Sequence, residues 1–203
     1  MEIKAVIPGP IRPAARAIYF GLYRFAVKAR CWYLDRRQQL AADHDSSLIP
    51  PALLRFKVGE TTSLSRFLAV GEGTAKCIES ALEGIGRPFG AFQSILDFGC
   101  GCGRTLIWFA KKFPGKTLHG TDVDSASIEW CRAHLPAGRF FVNTMLPPIG
   151  YPDACFDLVY AISVFTHLSE DHQRQWIPEL HRVIKPGRVL LASVHGESIT
   201  GRT

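Results

Sequence analysis

The residues able to do chemistry are concentrated in Ile95-Leu96-Asp97-Phe98-Gly99-Cys100-Gly101-Cys102-Gly103-Arg104. An apolar run leads into three alternating glycines and then into a helical pattern. The backbone can therefore bend sharply, and a ligand can lie against the main chain. A nucleotide-like cofactor suits such a turn. A dinucleotide would need glycine at the sixth position of its fingerprint, where the helix packs beside the pyrophosphate; that position is Arg104. Asp97 also disfavours phosphate, because a carboxylate repels a pyrophosphate and attracts an ammonium. About twenty residues on, Gly120-Thr121-Asp122 supplies a second carboxylate, placed to accept both hydroxyls of a ribose. An adenosyl ligand with a cationic amino-acid tail meets both requirements. Asp124 reads instead as a cap for the helix that follows.

These residues need a frame. From residue 94 onward apolar runs and helical patterns alternate, which predicts an α/β fold with a parallel sheet wrapped by helices. Strands are expected at 94–98, 116–121, 139–142, 156–163 and 188–194, with helices at 104–113, 125–135 and 169–184. Lys185-Pro186-Gly187 reads as the stop between the last helix and the fifth strand. Upstream, 63–83 predicts a helix weakened at Gly71-Glu72-Gly73, and 14–40 predicts a basic, aromatic, amphipathic helix with Ile18, Leu22, Phe25 and Trp32 at near-helical spacing. Pro50-Pro51 marks a linker or turn. The expected organisation is a helical extension and linker over 1–62 and the α/β domain over 63–203.

The motifs at 95–104, 120–124, 156–168 and 180–191 resemble, in order, those of the class I S-adenosylmethionine-dependent methyltransferases. The resemblance covers about residues 63–195. It implies a Rossmann-like, doubly wound, mainly parallel sheet with helices on both faces, and S-adenosylmethionine as cofactor. It places the methionine portion on Asp97, Gly99, Cys100, Gly101 and Gly103, the ribose on Asp122 and Val123, and the adenine beside Asn143, Thr144 and Met145. Many members carry an Asp after the third strand for the adenine amino group; this chain has Asn143-Thr144-Met145 instead. The reaction implied is in-line displacement of an already activated methyl, so the protein chiefly aligns the reactants, with a general base needed only for a hydroxyl acceptor. Ser163 and His167 lie in the segment after the fourth strand, at the carboxyl ends of the strands. His167 is the expected base, its structural alternative being a histidine packed at the start of the next helix; His195 is a weaker candidate. Phe165 suits either the core or an acceptor pocket.

The acceptor is narrowed by absences. An Asn/Asp-Pro-Pro-Tyr/Phe motif, as in methyltransferases of exocyclic amines and glutamine, does not follow the fourth strand, and a Pro-Cys pair does not occur. A small molecule such as a sugar, a lipid-linked intermediate or a secondary metabolite is therefore expected, and nucleic acid is not. The alternatives are a domain that holds the cofactor without turnover and, disfavoured by Arg104, a nicotinamide-dependent oxidoreductase. The fold family continues past a fifth strand with a helix and an antiparallel hairpin. Only nine residues follow Val194, so a missing segment or a partner is expected to cover that strand.

Composition fits this reading. In 203 residues, 47 % are hydrophobic, enough for one sizeable core. The net charge of +6 sits wholly in residues 1–57, with ten Lys/Arg against four acids, whereas 58–203 balances. The basic helix at 14–40 can act as a lid, pack with a solvated face, or touch an anionic membrane surface. The lead at 1–13 lacks the apolar run of an export signal, so the expected compartment is cytoplasmic, with peripheral membrane contact through 14–40. Six cysteines, two of them framed by glycines, read as reduced thiols, and no metal site is expected from their spacing.

Overall fold

A computed structural model of the chain describes residues 12–40 and 48–194. Six helices and five strands follow in the order α1 (Arg12–Leu40), α2 (Ala52–Gly59), α3 (Leu64–Gly84), β1 (Ser94–Phe98), α4 (Leu106–Lys112), β2 (Thr117–Asp122), α5 (Ser125–His134), β3 (Gly138–Val142), β4 (Phe156–Ala161), α6 (Glu170–Val183) and β5 (Ile184–Ala192). Single 3-10 turns lie at Phe89–Ala91 and Phe165–His167. The strands form one parallel sheet of order β3-β2-β1-β4-β5. The chain steps outward from β1 to β3, then returns to lay β4 on the other side of β1. β1 is thus the point where strand order reverses, and its carboxyl end opens into a crevice.

Side-chain alternation along the strands sorts the core into two layers. Ile95, Leu118, Leu158 and Tyr160 pack under α3, α4 and α5, against Phe67, Ile78, Phe109 and Ile128. Leu96, Phe98, Val159 and Ala161 face α6 through Trp176, Leu180 and Val183. Helices therefore cover both faces. The expected Rossmann-like architecture is present over the described residues.

Three local expectations need correction. α3 is unbroken through Gly71-Glu72-Gly73, with Ser63 capping its start by accepting from Arg66 N. Gly71 is a contact point: a Cβ there would lie 2.6 Å from the Arg104 carbonyl oxygen and 2.9 Å from Trp108 Nε1. Helix propensity lost at glycine is offset by close approach of α3 to the turn before α4. Gly71→Ala should accordingly destabilise the fold by about 1–3 kcal/mol through overpacking. A lowered urea midpoint at unchanged slope would show it. Second, Lys185-Pro186-Gly187 does not separate α6 from β5. β5 begins at Ile184 and advances to Val189 while β4 advances only from Phe156 to Leu158, so these residues form a bulge within the strand, with Gly187 at φ +71°. Third, the stretch after Pro50-Pro51 is a helix, α2, rather than a linker. Its buried Arg55 donates to Pro50 O and Thr62 O, tying both ends of the segment together.

β5 and β3 are the edge strands of the sheet. His195 lies outside the described residues. All six cysteines are free thiols.

Candidate functional site

A cavity of about 400 Å³ sits at the carboxyl end of β1, where the strand order reverses. Every cofactor position expected from the sequence lines it except Gly103: Asp97, Gly99, Cys100, Gly101, Asp122, Val123, Asn143, Thr144, Met145 and Ser163, together with His167. Gly103 lies one step further along the turn, where it starts α4 by accepting from Ile107 N at 3.0 Å.

The glycine turn is built by the backbone. Gly99 N and Cys100 N both donate to Thr121 O, at 2.8 and 2.9 Å, which locks the end of β1 onto β2. Gly99 and Gly101 adopt φ of +82° and +53°, a region costly for other residues. A Cβ on Gly99 would overlap Val164, and one on Gly101 would overlap Val58. The turn is therefore a cradle that a side chain would fill. Cys100 contributes only main chain to it, since its thiol is buried against Gly120.

Two carboxylates frame the cradle. Asp122 Oδ2 accepts from Gly101 N at 2.8 Å and Oδ1 from Asp124 N at 2.9 Å, so one side chain joins the glycine turn to the end of β2. Asp97 is 5 % exposed and lies opposite Tyr160 in the β1–β4 register. Burial pushes its carboxyl up to about 8; the Tyr160 hydroxyl pulls it back, the Asp122 carboxylate adds to the rise, and the Arg104 guanidinium offsets some of it. Tyr160 Oη is itself buried without a well-formed hydrogen bond. A buried acid kept largely neutral at pH 7 beside an unsatisfied hydroxyl is an arrangement that a bound cation would complete.

The far wall is formed by the loop after β3. Asn143 N donates to Asp122 O at 3.0 Å, and Asn143 Nδ2 to Thr144 O at 2.8 Å, leaving Oδ1 buried and unpartnered. Thr144 Oγ1 donates to Leu146 O, and Trp176 Nε1 from α6 holds Met145 O at 3.1 Å. Val123 and Met145 are exposed at the mouth. Above β4, Ser163 takes φ +59°, rare for a residue with a side chain, and donates its N–H to Ser193 Oγ at 2.7 Å. His167 closes the 3-10 turn at the rim, its ring exposed and its N–H bonded to Val164 O. Phe165 is buried in the core beneath it.

Several pocket residues escaped the sequence reading. Lys57 and Val58 come from α2, Thr74 from α3, Ser127 from α5 and Tyr160 from β4. Lys57 Nζ reaches Asp124 Oδ1 at 2.7 Å, and Arg104 Nη1 donates to Val58 O at 3.0 Å, so α2 is clasped to the glycine turn from both sides. Burial works against the Asp124 charge, yet hydrogen bonds from Lys57 and Ser127 hold its carboxyl below the usual range. Asp124 occupies the N-cap position of α5 without a side-chain bond to the helix backbone; it binds the Ser127 hydroxyl instead. Among the described residues, none of those lining the pocket comes from α1, for which a lid is one expected role.

An open parallel sheet with a glycine cradle and paired acids at its reversal point defines a nucleoside-cofactor domain of the α/β class. Residues 95–187 match the family described as methyltransferase domain. That stretch is similar to methyltransferase domains, in keeping with the resemblance to the class I S-adenosylmethionine-dependent enzymes. Among similar proteins, a trans-aconitate 2-methyltransferase of Paracidovorax citrulli is 31 % identical over 103 residues, covering 51 % of this chain and 39 % of that one. The O-methyltransferase resE of Aspergillus sclerotiorum is 31 % identical over 144 residues, covering 63 % and 53 %. A ribosomal protein L11 methyltransferase of Burkholderia cenocepacia is 31 % identical over 127 residues, covering 63 % and 40 %. The chain thus spans about half or less of the length of these relatives.

Proposed function

We propose that the chain binds S-adenosylmethionine in this cavity and transfers its methyl group to a small-molecule acceptor by in-line displacement. The observation that carries the reading is the pair of acids at the ends of adjacent strands, buried Asp97 and half-buried Asp122, on either side of a glycine turn with no room for side chains. Asp97 and the main chain of Gly99, Cys100, Gly101 and Gly103 would hold the amino-acid end, with the carboxylate meeting the ammonium. Asp122, with Val123 beside it, would accept from the ribose hydroxyls. Asn143, Thr144 and Met145 would flank the base, and the unpartnered Asn143 Oδ1 is an acceptor suited to an exocyclic amine. Asn can thus serve where many relatives use Asp. Ser163 would border the cavity from the β4 side.

When bound, S-adenosylmethionine supplies a methyl already activated by a cationic sulfur. The chain's own task is to orient it, exclude water and, for a hydroxyl acceptor, remove a proton. His167 at the rim is the base in this reading. With such an acceptor, His167→Ala is expected to lower kcat by about 10²–10⁴-fold while leaving cofactor affinity unchanged. An unaltered kcat would remove His167 from the mechanism.

A cavity of about 400 Å³ is of small-molecule size. The cofactor itself would take up that volume, so the small acceptor rests on the lack of an Asn/Asp-Pro-Pro-Tyr/Phe motif after β4 and on the name of the trans-aconitate enzyme, with a protein acceptor like that of the L11 enzyme as the alternative. The deciding experiment compares thermal midpoints with S-adenosylmethionine, its demethylated product and nicotinamide dinucleotides, followed by methyl transfer to an acceptor set that includes protein. Stabilisation by the first two alone, with turnover on a small molecule, is the expected result. A shift with the dinucleotides only would discard the reading; binding without turnover on any acceptor would leave a cofactor-holding domain.

A further inference from the structure

We propose that α1 docks on an anionic lipid surface, lying in the plane of the interface with its outward apolar stripe immersed. The inference is independent of methyl transfer, and neither reading depends on the other.

α1 is 29 residues long, about 43 Å at the rise of an α-helix. Among the described residues, only its C-terminal part is held by the rest of the chain. Cys31 is buried, Val27, Leu34 and Asp35 are half-buried, and Asp35 Oδ1 accepts from Ala52 N at 2.7 Å. Every side chain from Arg16 to Ala26 is exposed. Ile18, Leu22, Phe25, Ala29 and Trp32 follow a four-three-four-three spacing that puts them on one stripe, turned away from Cys31 and α2. Phe25 is 72 % exposed, Ile18 and Leu22 are 64 % and Trp32 is 63 %, with Tyr19 and Tyr33 bordering them. A continuous apolar stripe of this kind marks an interaction surface rather than scattered exposure.

Charge selects the occupant. From residue 12 to 34 the helix carries Arg12, Arg16, Arg24, Lys28 and Arg30 and no acid. A second copy laid on the stripe would bring like charges together with no acidic partner between them. A layer of negative headgroups complements them. Lys28 lies nearest the edge of the stripe, with Arg24 and Arg30 further round the helix and Arg16 almost opposite. The basic residues therefore act chiefly as a concentrated positive charge above the headgroups, while Trp and Tyr settle at the boundary between headgroups and acyl chains. Among the described residues no helix is long and apolar enough to cross a membrane, so the contact is in-plane.

The test is flotation of the full chain with phosphatidylcholine vesicles, with and without phosphatidylglycerol. Binding is expected only with the anionic vesicles and should weaken as salt rises. Brominated acyl chains should quench tryptophan fluorescence, and Trp32→Phe should abolish the quenching. Replacing Arg16, Arg24, Lys28 and Arg30 together by Gln is expected to weaken partitioning on the order of 100-fold or more, with the near-ultraviolet circular dichroism of the folded domain unchanged. The proposal is overturned if the chain ignores anionic vesicles at low salt, binds zwitterionic vesicles equally well, or keeps its affinity after the four replacements. A concentration-dependent dimer that Phe25→Ala and Trp32→Ala dissolve, in a chain that does not float, would assign the stripe to a second copy instead. Thermal shift with S-adenosylmethionine on the same samples reports separately on the methyl-transfer reading.

Discussion

Asp97→Asn is expected to reduce affinity for S-adenosylmethionine by about 100-fold or more while leaving the ligand-free fold at least as stable as before. The opposite signs follow from one cause. In the free chain the buried carboxyl ionises only near 8, so at pH 7 it is mostly protonated, and a cationic ligand must draw out that proton to form an ion pair. Affinity should therefore fall about tenfold per pH unit below 8, and binding at pH 7 should release close to one proton. Above about 8 the ligand's own α-amino group loses its charge, so affinity peaks there. The stability sign is the reverse. With its folded value raised above the unfolded one of roughly 3.9, Asp97 contributes fully below pH 4, and that contribution is lost as pH rises toward 8. Asn removes both slopes. Calorimetry in buffers of different ionisation enthalpy reads the proton count, and urea midpoints across pH 4–9 read the stability. A ligand affinity flat between pH 6 and 8 in the wild-type chain would contradict the assignment.

The second large effect is expected at Asp122. Its carboxylate accepts from Gly101 N and Asp124 N, and in the proposed complex it also meets the ribose. Alanine removes both backbone bonds from a half-buried site, and charge-assisted bonds of this type contribute about 1.5–3 kcal/mol each. Cofactor affinity should fall on the order of 100- to 1,000-fold, equivalent to about 3–4 kcal/mol. Asp122→Asn retains one acceptor oxygen and should fall between wild type and Ala. Titration calorimetry decides, with near-ultraviolet circular dichroism to confirm that the sheet persists. A loss within threefold for the Ala variant would show that this carboxylate serves only to tie the loops together.

The central part of the fold was legible because its signals are local. An apolar run ending in alternating glycines can be read directly as a strand and tight turn, and Asp122 is recognisable by its distance from them. The missed elements depend on partners far away in sequence. The segment Ala52–Gly59 is short, follows two prolines and lacks a clear polar face, so only its contacts with Arg104 and Asp124 reveal why it is helical. Tyr160 sits in a strand of six buried residues and looks like core; its significance comes from the register that sets it opposite Asp97. Lys185-Pro186-Gly187 carries genuine turn chemistry, but it is used to offset one strand against its neighbour, which no local pattern distinguishes from a stop.

The clasp of α2 on the glycine turn bears on how this protein can be cut down for study. The matched family stretch begins at residue 95, yet Lys57, Val58 and Thr74 wall the cavity from earlier in the chain. A fragment trimmed to the matched stretch would retain both acids but leave one flank open to water. Such a fragment also lacks α3 from the core and most of β5, so weak ligand capture by it would report a lost frame and a missing shutter, not a defective acid pair.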